Sequence, residues 1–326
     1  MALLPAAVDA EIFKKEDLLR GITITRAQCD ATEQTVWLNV HGRDFCVRYY
    51  LSTAGGEGTR PIVFLDGDQL GKINGKTWTW LEPGEAKDRD SEDLKRYAEA
   101  FSKLAKAPAI FLARIGVDGT SGNHLARKTF LELDLMNAAL GAIKQRYKFE
   151  GFHLAGQSGG SRLIAGLIPL RHDVSCAVFG SGRLVVSEGA KNADIGRSFF
   201  DLNIPAIAKE GALHPYVVTD KADKRVPAEE QTFFVDRMRK VGRQVPQLFV
   251  EATDDLRHGV AGYAEIVAAG CILGRPDGEI ARAVGTAAKR NAEYNERRRK
   301  EQGAKASILA AAKGAAPVAR ATPGRN

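Results

Sequence analysis

The segment Phe152-His153-Leu154-Ala155-Gly156-Gln157-Ser158-Gly159-Gly160-Ser161 sets an apolar run against a turn of small residues, with a serine at the centre of a Gly-x-Ser-x-Gly pattern. A serine on a sharp strand-to-helix turn projects its oxygen above the sheet, and small neighbours are required where strand and helix pass close together. Gly156 and Gly160 meet that requirement. A helix beginning near Gly159 aims backbone N–H groups and the positive end of its dipole at any oxyanion that forms on a substrate. The chemistry these residues could do is nucleophilic attack by Ser158.

A hydroxyl is a poor nucleophile at neutral pH until a base takes its proton. The histidines are His41, His124, His153, His172, His214 and His258. His258 is the candidate base because it follows the last apolar strand-like run, on a loop at the same sheet edge as the serine. His153 lies within a strand and His41 in a hairpin at the opposite end, while His124 reads as a loop-stabilising residue. The third member of such a set is a carboxylate that orients the histidine. The segment Thr219-Asp220-Lys221-Ala222-Asp223-Lys224-Arg225-Val226-Pro227 offers Asp220 and Asp223, and residue types alone leave both open.

Short apolar runs separated by glycine-rich turns or helical spacing must position these residues. Eight strands are read, at 36–40, 45–51, 61–65, 109–113, 152–155, 175–179, 216–219 and 247–251. The first two are joined by His41-Gly42-Arg43-Asp44, which favours an antiparallel hairpin. The others are continuous apolar runs suited to parallel strands covered on both faces. Helices are expected from Ser91 to Lys106, from Phe130 to Tyr147 and from Gly159 onward, as crossovers between strands. Residues 184–214 contain no evident strand and are the expected place for a small cap.

With strands and candidate residues in this order, the chain resembles an α/β-hydrolase, and more narrowly the branch of prolyl oligopeptidase-like enzymes and related esterases. The resemblance rests on Gly156-Gln157-Ser158-Gly159-Gly160, Asp223-Lys224-Arg225-Val226-Pro227 and His258-Gly259, and spans about Thr35 to Cys271. It implies an α/β fold: a mostly parallel eight-stranded sheet with helices on both faces, a small cap and a basic C-terminal tail. It also favours Asp223 over Asp220, since the acid of that family commonly stands a few residues before Val-Pro. The implied oxyanion donors are the backbone N–H groups of Gly159 and of Asp68, in Leu65-Asp66-Gly67-Asp68. Two carboxylates there would oppose the oxyanion unless they turn away or meet cations. Gly67, Gln157 and Arg114 are expected to face the substrate, with Arg114 pairing with Asp66 or Asp68 or binding a substrate carboxylate. Thr120 and Ser121 are expected to shape the pocket.

The implied activity is hydrolysis of an ester, thioester or amide through an acyl-enzyme, a small-molecule ester ranking above a peptide. An acyltransferase and a non-catalytic binding protein on the same fold are the alternatives. The partner is a small-molecule acyl substrate, and neither metal nor organic cofactor is required.

A chain of 326 residues, 44% hydrophobic and 27% charged, can bury a substantial core. Residues 1–285 are read as one catalytic domain and 286–326 as a basic helix and a disordered tail from about Gly314. Much of the net charge of +7 lies in that tail, including Arg297-Arg298-Arg299-Lys300. It is read as a solvated segment, with nucleic-acid docking as the lesser alternative. No run approaches a membrane span, and Asp9 and Glu11 interrupt the first apolar stretch before a secretory signal could form. Cys29, Cys46, Cys176 and Cys271 lie far apart, with Cys46 and Cys176 inside apolar runs, so buried free thiols in a reducing cytoplasm are expected.

Overall fold

The structure, a computed structural model, describes residues 11–14, 16–73, 77–80, 89–184, 209 and 211–314. Its strands are β1 (Ile12–Phe13), β2 (Thr35–Val40), β3 (Arg43–Ser52), β4 (Ile62–Leu65), β5 (Leu70–Ile73) and β6 (Thr77–Trp80). They continue with β7 (Arg89–Asp90), β8 (Ala109–Leu112), β9 (Phe152–Gln157), β10 (Val174–Gly180), β11 (His214–Asp220) and β12 (Gln247–Val250). Among the described residues eight of these form one sheet in the order β12-β11-β10-β9-β4-β8-β3-β2. The β2–β3 and β3–β8 pairs are antiparallel and the rest parallel. All eight expected strands are therefore present. The β2–β3 turn holds His41 at φ 51° and Gly42 at φ 72°, the left-handed pair that a tight hairpin requires.

Side chains of the central strands alternate between two cores, which is why these strands read as continuous apolar runs. Val63 and Leu65 of β4 point to one face, where helices Phe130–Tyr147, Gly159–Leu167 and Ala228–Lys240 supply Met136, Leu140, Ile164 and Phe234. Ile62 and Phe64 point to the other, against Phe101 of helix Ser91–Ala105, Val267 of helix Ala261–Ile272 and Ile280 of helix Asp277–Gly314.

The strand order fixes where a site can form. From β4 the chain crosses to β8 on one side, and from β8 it returns across β4 to β9 on the other. Connections that diverge from neighbouring strands leave a crevice at their carboxyl ends, the usual ligand position in an open α/β sheet. Ser158 follows β9 and Asp66-Gly67-Asp68 follows β4, so both stand at the carboxyl ends of adjacent strands.

The expected free thiols are corrected by the structure. Cys29 is joined to Cys46 and Cys176 to Cys271, with Cα separations of 5.7 and 6.5 Å. Helix Arg26–Ala31 carries Cys29 against the hairpin strand that holds Cys46, and helix Ala261–Ile272 lays Cys271 over Cys176 of β10. An apolar setting suits a half-cystine as well as a thiol, so neighbouring residues did not reveal the pairing. The cytoplasmic expectation loses the support it drew from the cysteines, because disulfides persist mainly in oxidising compartments. Reduction should weaken the fold by about 2–4 kcal/mol for each bridge. The check is the urea midpoint with and without a phosphine reductant, and an unchanged midpoint would contradict the pairing.

The expected cap at 184–214 falls mostly on 185–208 and 210, outside the described residues, as does the tail beyond Gly314. One helix, Asp277–Gly314, runs through the expected boundary at 285, with Ile280 and Val284 buried and Asn291 Nδ2 donating to the Tyr263 hydroxyl at 3.0 Å. Among the described residues no helix is long and apolar enough to cross a membrane.

Candidate active site

Ser158 occupies the turn between β9 and helix Gly159–Leu167 with φ 52° and ψ −112°, a conformation that non-glycine residues rarely adopt. Its N–H donates to the Gly180 carbonyl at 2.7 Å, and Ser161 Oγ donates to the carbonyls of Gly156 and Gly180 at 2.7 and 3.0 Å. These bonds fasten the turn between β9 and β10. A Cβ at Gly160 would drive into the Leu65 carbonyl, and one at Gly156 would come within 2.8 Å of Gly160 and Ser161 backbone atoms. The glycines of the pattern are therefore steric necessities at a point where β4, β9 and the helix converge. Ser158 itself stays partly exposed.

His258, on the loop after β12, presents Nδ1 to both oxygens of Asp223, at 3.0 and 2.9 Å. The carboxylate, fully buried, also accepts the N–H groups of Arg225 and Val226 at 2.8 and 2.9 Å. With Nδ1–H committed to Asp223, Nε2 carries the lone pair. Asp220 is engaged elsewhere: it takes Arg257 at 2.7 and 3.2 Å and the N–H groups of Ala222 and Ala252 at 2.8 and 2.7 Å. Burial alone would raise its pKa, and these donors hold it below the usual carboxylate range. Of the two acids, Asp223 is the one brought to His258.

The loop after β4 covers the turn from the other side. A side chain at Gly67 would meet Ser158 Cβ at 3.4 Å, and a Cβ at Gly159 would strike the Asp68 carboxylate and Arg114. The Gly67 N–H is taken by Asp66 Oδ1 at 2.7 Å and the Gln69 N–H by His124 Nε2 at 3.2 Å. The N–H groups of Asp68 and Gly159 have no acceptor among the described residues. The feared carboxylate repulsion is removed: Asp66 pairs with Arg89 at 2.7 Å, while Asp68 pairs with Lys128 and, at 3.0 Å, with Arg114. Burial opposes the Asp68 charge, and Lys128, Arg114 and Arg127 outweigh it, holding the carboxyl well below the usual range.

The expected substrate contacts change here. Arg114, 2% exposed, makes the expected pair with Asp68 and also holds Glu132 at 2.9 and 3.1 Å and the Asp66 carbonyl, so of its expected roles the loop contact stands and the substrate-carboxylate contact does not. Gln157 does not face the substrate: Nε2 donates to the His258 carbonyl at 2.7 Å and Oε1 accepts from the Val260 N–H at 3.1 Å. Thr120 and Ser121, both buried, take the N–H groups of Arg48 and Cys46 at 3.0 and 2.8 Å and so brace β3. Sequence reasoning also missed Asp254, which accepts the N–H groups of His258 and Gly259 and shapes the loop that carries the base. Its signal was an aspartate four residues before the histidine, the kind of residue that caps a turn through its own side chain.

No hydrogen bond joins the Ser158 hydroxyl to His258 among the described residues, and such bonds commonly tighten only when substrate is bound. Nor, among the described residues, does any group of three or more His, Cys, Asp or Glu stand ready to hold a metal.

The arrangement can be set beside known proteins. The chain matches an esterase from Butyrivibrio proteoclasticus with ferulic acid bound, at TM-score 0.50 and 11% identity, over 74% of this chain and 98% of that one. It matches an esterase from Pyrococcus furiosus at TM-score 0.50 and 13% identity, over 77% of this chain and 95% of that one. The chain has the α/β-hydrolase fold. No family model matches the sequence, and no curated protein does. Ser158 stands on the turn after β9, the fifth strand of the main sheet in chain order.

Two histidines of this α/β-hydrolase fold, His124 buried and His153 half-buried, give its stability a pH dependence. Burial, helped by Arg114, pushes His124 down to about 3, and burial with Arg60 pushes His153 down to about 4. Unfolded histidine titrates near 6.5, so between about 6.5 and 4 the unfolded chain binds more protons and stability falls with pH. Glu265, pushed up to about 7 by burial, has the opposite sign and offsets part of the loss of two histidines. The melting temperature should drop steadily from pH 7 to pH 4.5, and a flat or rising profile would contradict these protonation states.

Proposed function

We propose that this protein is a serine hydrolase that cleaves an ester, thioester or amide through an acyl-enzyme. The observation that carries the reading is His258 held by Asp223 through Nδ1 while Gln157 ties the same histidine's main chain to the residue before Ser158. Ser158 Oγ attacks the substrate carbonyl carbon as its proton passes to His258 Nε2. Asp223 keeps the imidazole in the required tautomer and stabilises the imidazolium. The carbonyl oxygen, now negative, takes the N–H groups of Gly159 and Asp68, at the amino end of helix Gly159–Leu167. The tetrahedral intermediate collapses, His258 returns the proton to the leaving oxygen, sulfur or nitrogen, and the acyl group remains on Ser158. Water, deprotonated by His258, then attacks the acyl carbon and releases the acid with Ser158 restored.

Small esters are favoured over peptides, since the two proteins set beside the chain above are both esterases. The test is turnover of p-nitrophenyl esters from acetyl to octanoyl beside aminoacyl p-nitroanilides. Faster release from the esters is expected. A folded protein that turns over neither class would overturn the hydrolase reading. An alcohol acceptor that speeds acyl release would place the activity in transfer to that acceptor.

A further inference from the structure

We propose that Gln157 is a positioning residue that locks the general base to the nucleophile's turn without touching substrate, an inference that rests on the serine-hydrolase reading above. Gln157 is the last residue of β9 and is 7% exposed. Both ends of its amide are filled by main chain on either side of the base: Nε2 by the His258 carbonyl at 2.7 Å, Oε1 by the Val260 N–H at 3.1 Å. These bonds bridge 101 and 103 residues of sequence.

His258 is gripped from three directions. Its N–H is held by Asp254 at 3.2 and 3.1 Å, its Nδ1 by Asp223 and its carbonyl by Gln157, which leaves Nε2 for chemistry. Asp254 and Asp223 orient the ring within its own group of loops. Among the described residues, the hydrogen bonds that tie this group to the segment carrying Ser158 come from Gln157. The amide therefore sets the separation of nucleophile and base, and a displacement of about 1 Å there costs on the order of 100-fold in rate. Glutamine is the residue that serves: one planar group must donate to a carbonyl and accept from an N–H. Glutamate would oppose the His258 carbonyl, and methionine of similar length would keep neither bond.

The test compares kcat and KM for p-nitrophenyl butyrate in wild type, Gln157→Met and Gln157→Glu, each with His258 intact and with His258→Ala. With His258 intact, Gln157→Met should lower kcat by about 30- to 100-fold with KM changed less than about threefold, and Gln157→Glu by at least as much. In the His258→Ala background, where no base remains to be placed, Gln157→Met should change the residual rate by less than about twofold. A rise in KM at unchanged kcat would make Gln157 a substrate contact and overturn the proposal. Equal losses in both backgrounds would mark a general structural effect and overturn it too, as would failure of both variants to fold. Absence of turnover in folded wild type would count against the parent reading, and so is distinguishable from failure of this one.

Discussion

Substitution of Ser158 by alanine is expected to lower kcat for ester hydrolysis by about 10⁵- to 10⁶-fold while the protein stays folded. The loss should be this large because the neighbouring hydroxyl cannot take over the covalent step: Ser161 is fully buried and donates to the Gly156 and Gly180 carbonyls. Folding should survive because the Ser158 side chain caps no helix N–H group, and the turn is held by backbone and by Ser161. Alanine meets the same positive φ as serine, so the strain of the turn is unchanged. Steady-state rates with a p-nitrophenyl ester, read beside circular dichroism and the melting temperature, check both halves. A loss below about tenfold would remove Ser158 from the chemistry.

The second large effect separates two aspartates three residues apart. Asp223→Asn should cost about 10⁴-fold in kcat with little change in KM, because the amide can present its N–H to Nδ1 and invite the wrong tautomer of His258. Asp220→Asn should leave kcat within about tenfold and show its effect in stability instead, a loss of about 1–3 kcal/mol from weakened bonds to Arg257, Ala222 and Ala252. Kinetics and urea unfolding of the two variants give opposite patterns on this account. The reverse pattern, with Asp220→Asn the catalytic loss, would contradict the site as assembled here.

Much of the fold was legible because strands buried on both faces write themselves as unbroken apolar runs. Ile62-Val63-Phe64-Leu65 serves two cores at once, so its continuity signalled its place in the sheet. The short elements were not legible on this basis. The β5–β6 hairpin and the β1–β7 pair lie outside the main sheet, and two strand residues leave no period to read.

In the site, Ser158 and His258 could be read because each lies on a loop just beyond a strand, where chain order predicts convergence, whereas chain order left Asp220 and Asp223 both open and the family resemblance favoured Asp223, the one that meets His258. The supports of these residues could not be read. Gln157 meets backbone atoms more than 100 residues away, and main-chain partners leave no residue-type signal. Arg114 is spoken for by Glu132, 18 residues on, which sits on a helix whose apolar face attracted the reading. The cysteines failed for a related reason: the pairs are 17 and 95 residues apart, and packing of helices onto strands decides which thiols meet.

The most direct measurement is treatment of the folded protein with a fluorophosphonate, followed by mass mapping of the adduct. One probe per chain, on the peptide bearing Ser158, is the predicted result, with labelling absent in Ser158→Ala and strongly slowed in His258→Ala. A folded wild type that takes no adduct, or takes it on another residue, would contradict the account.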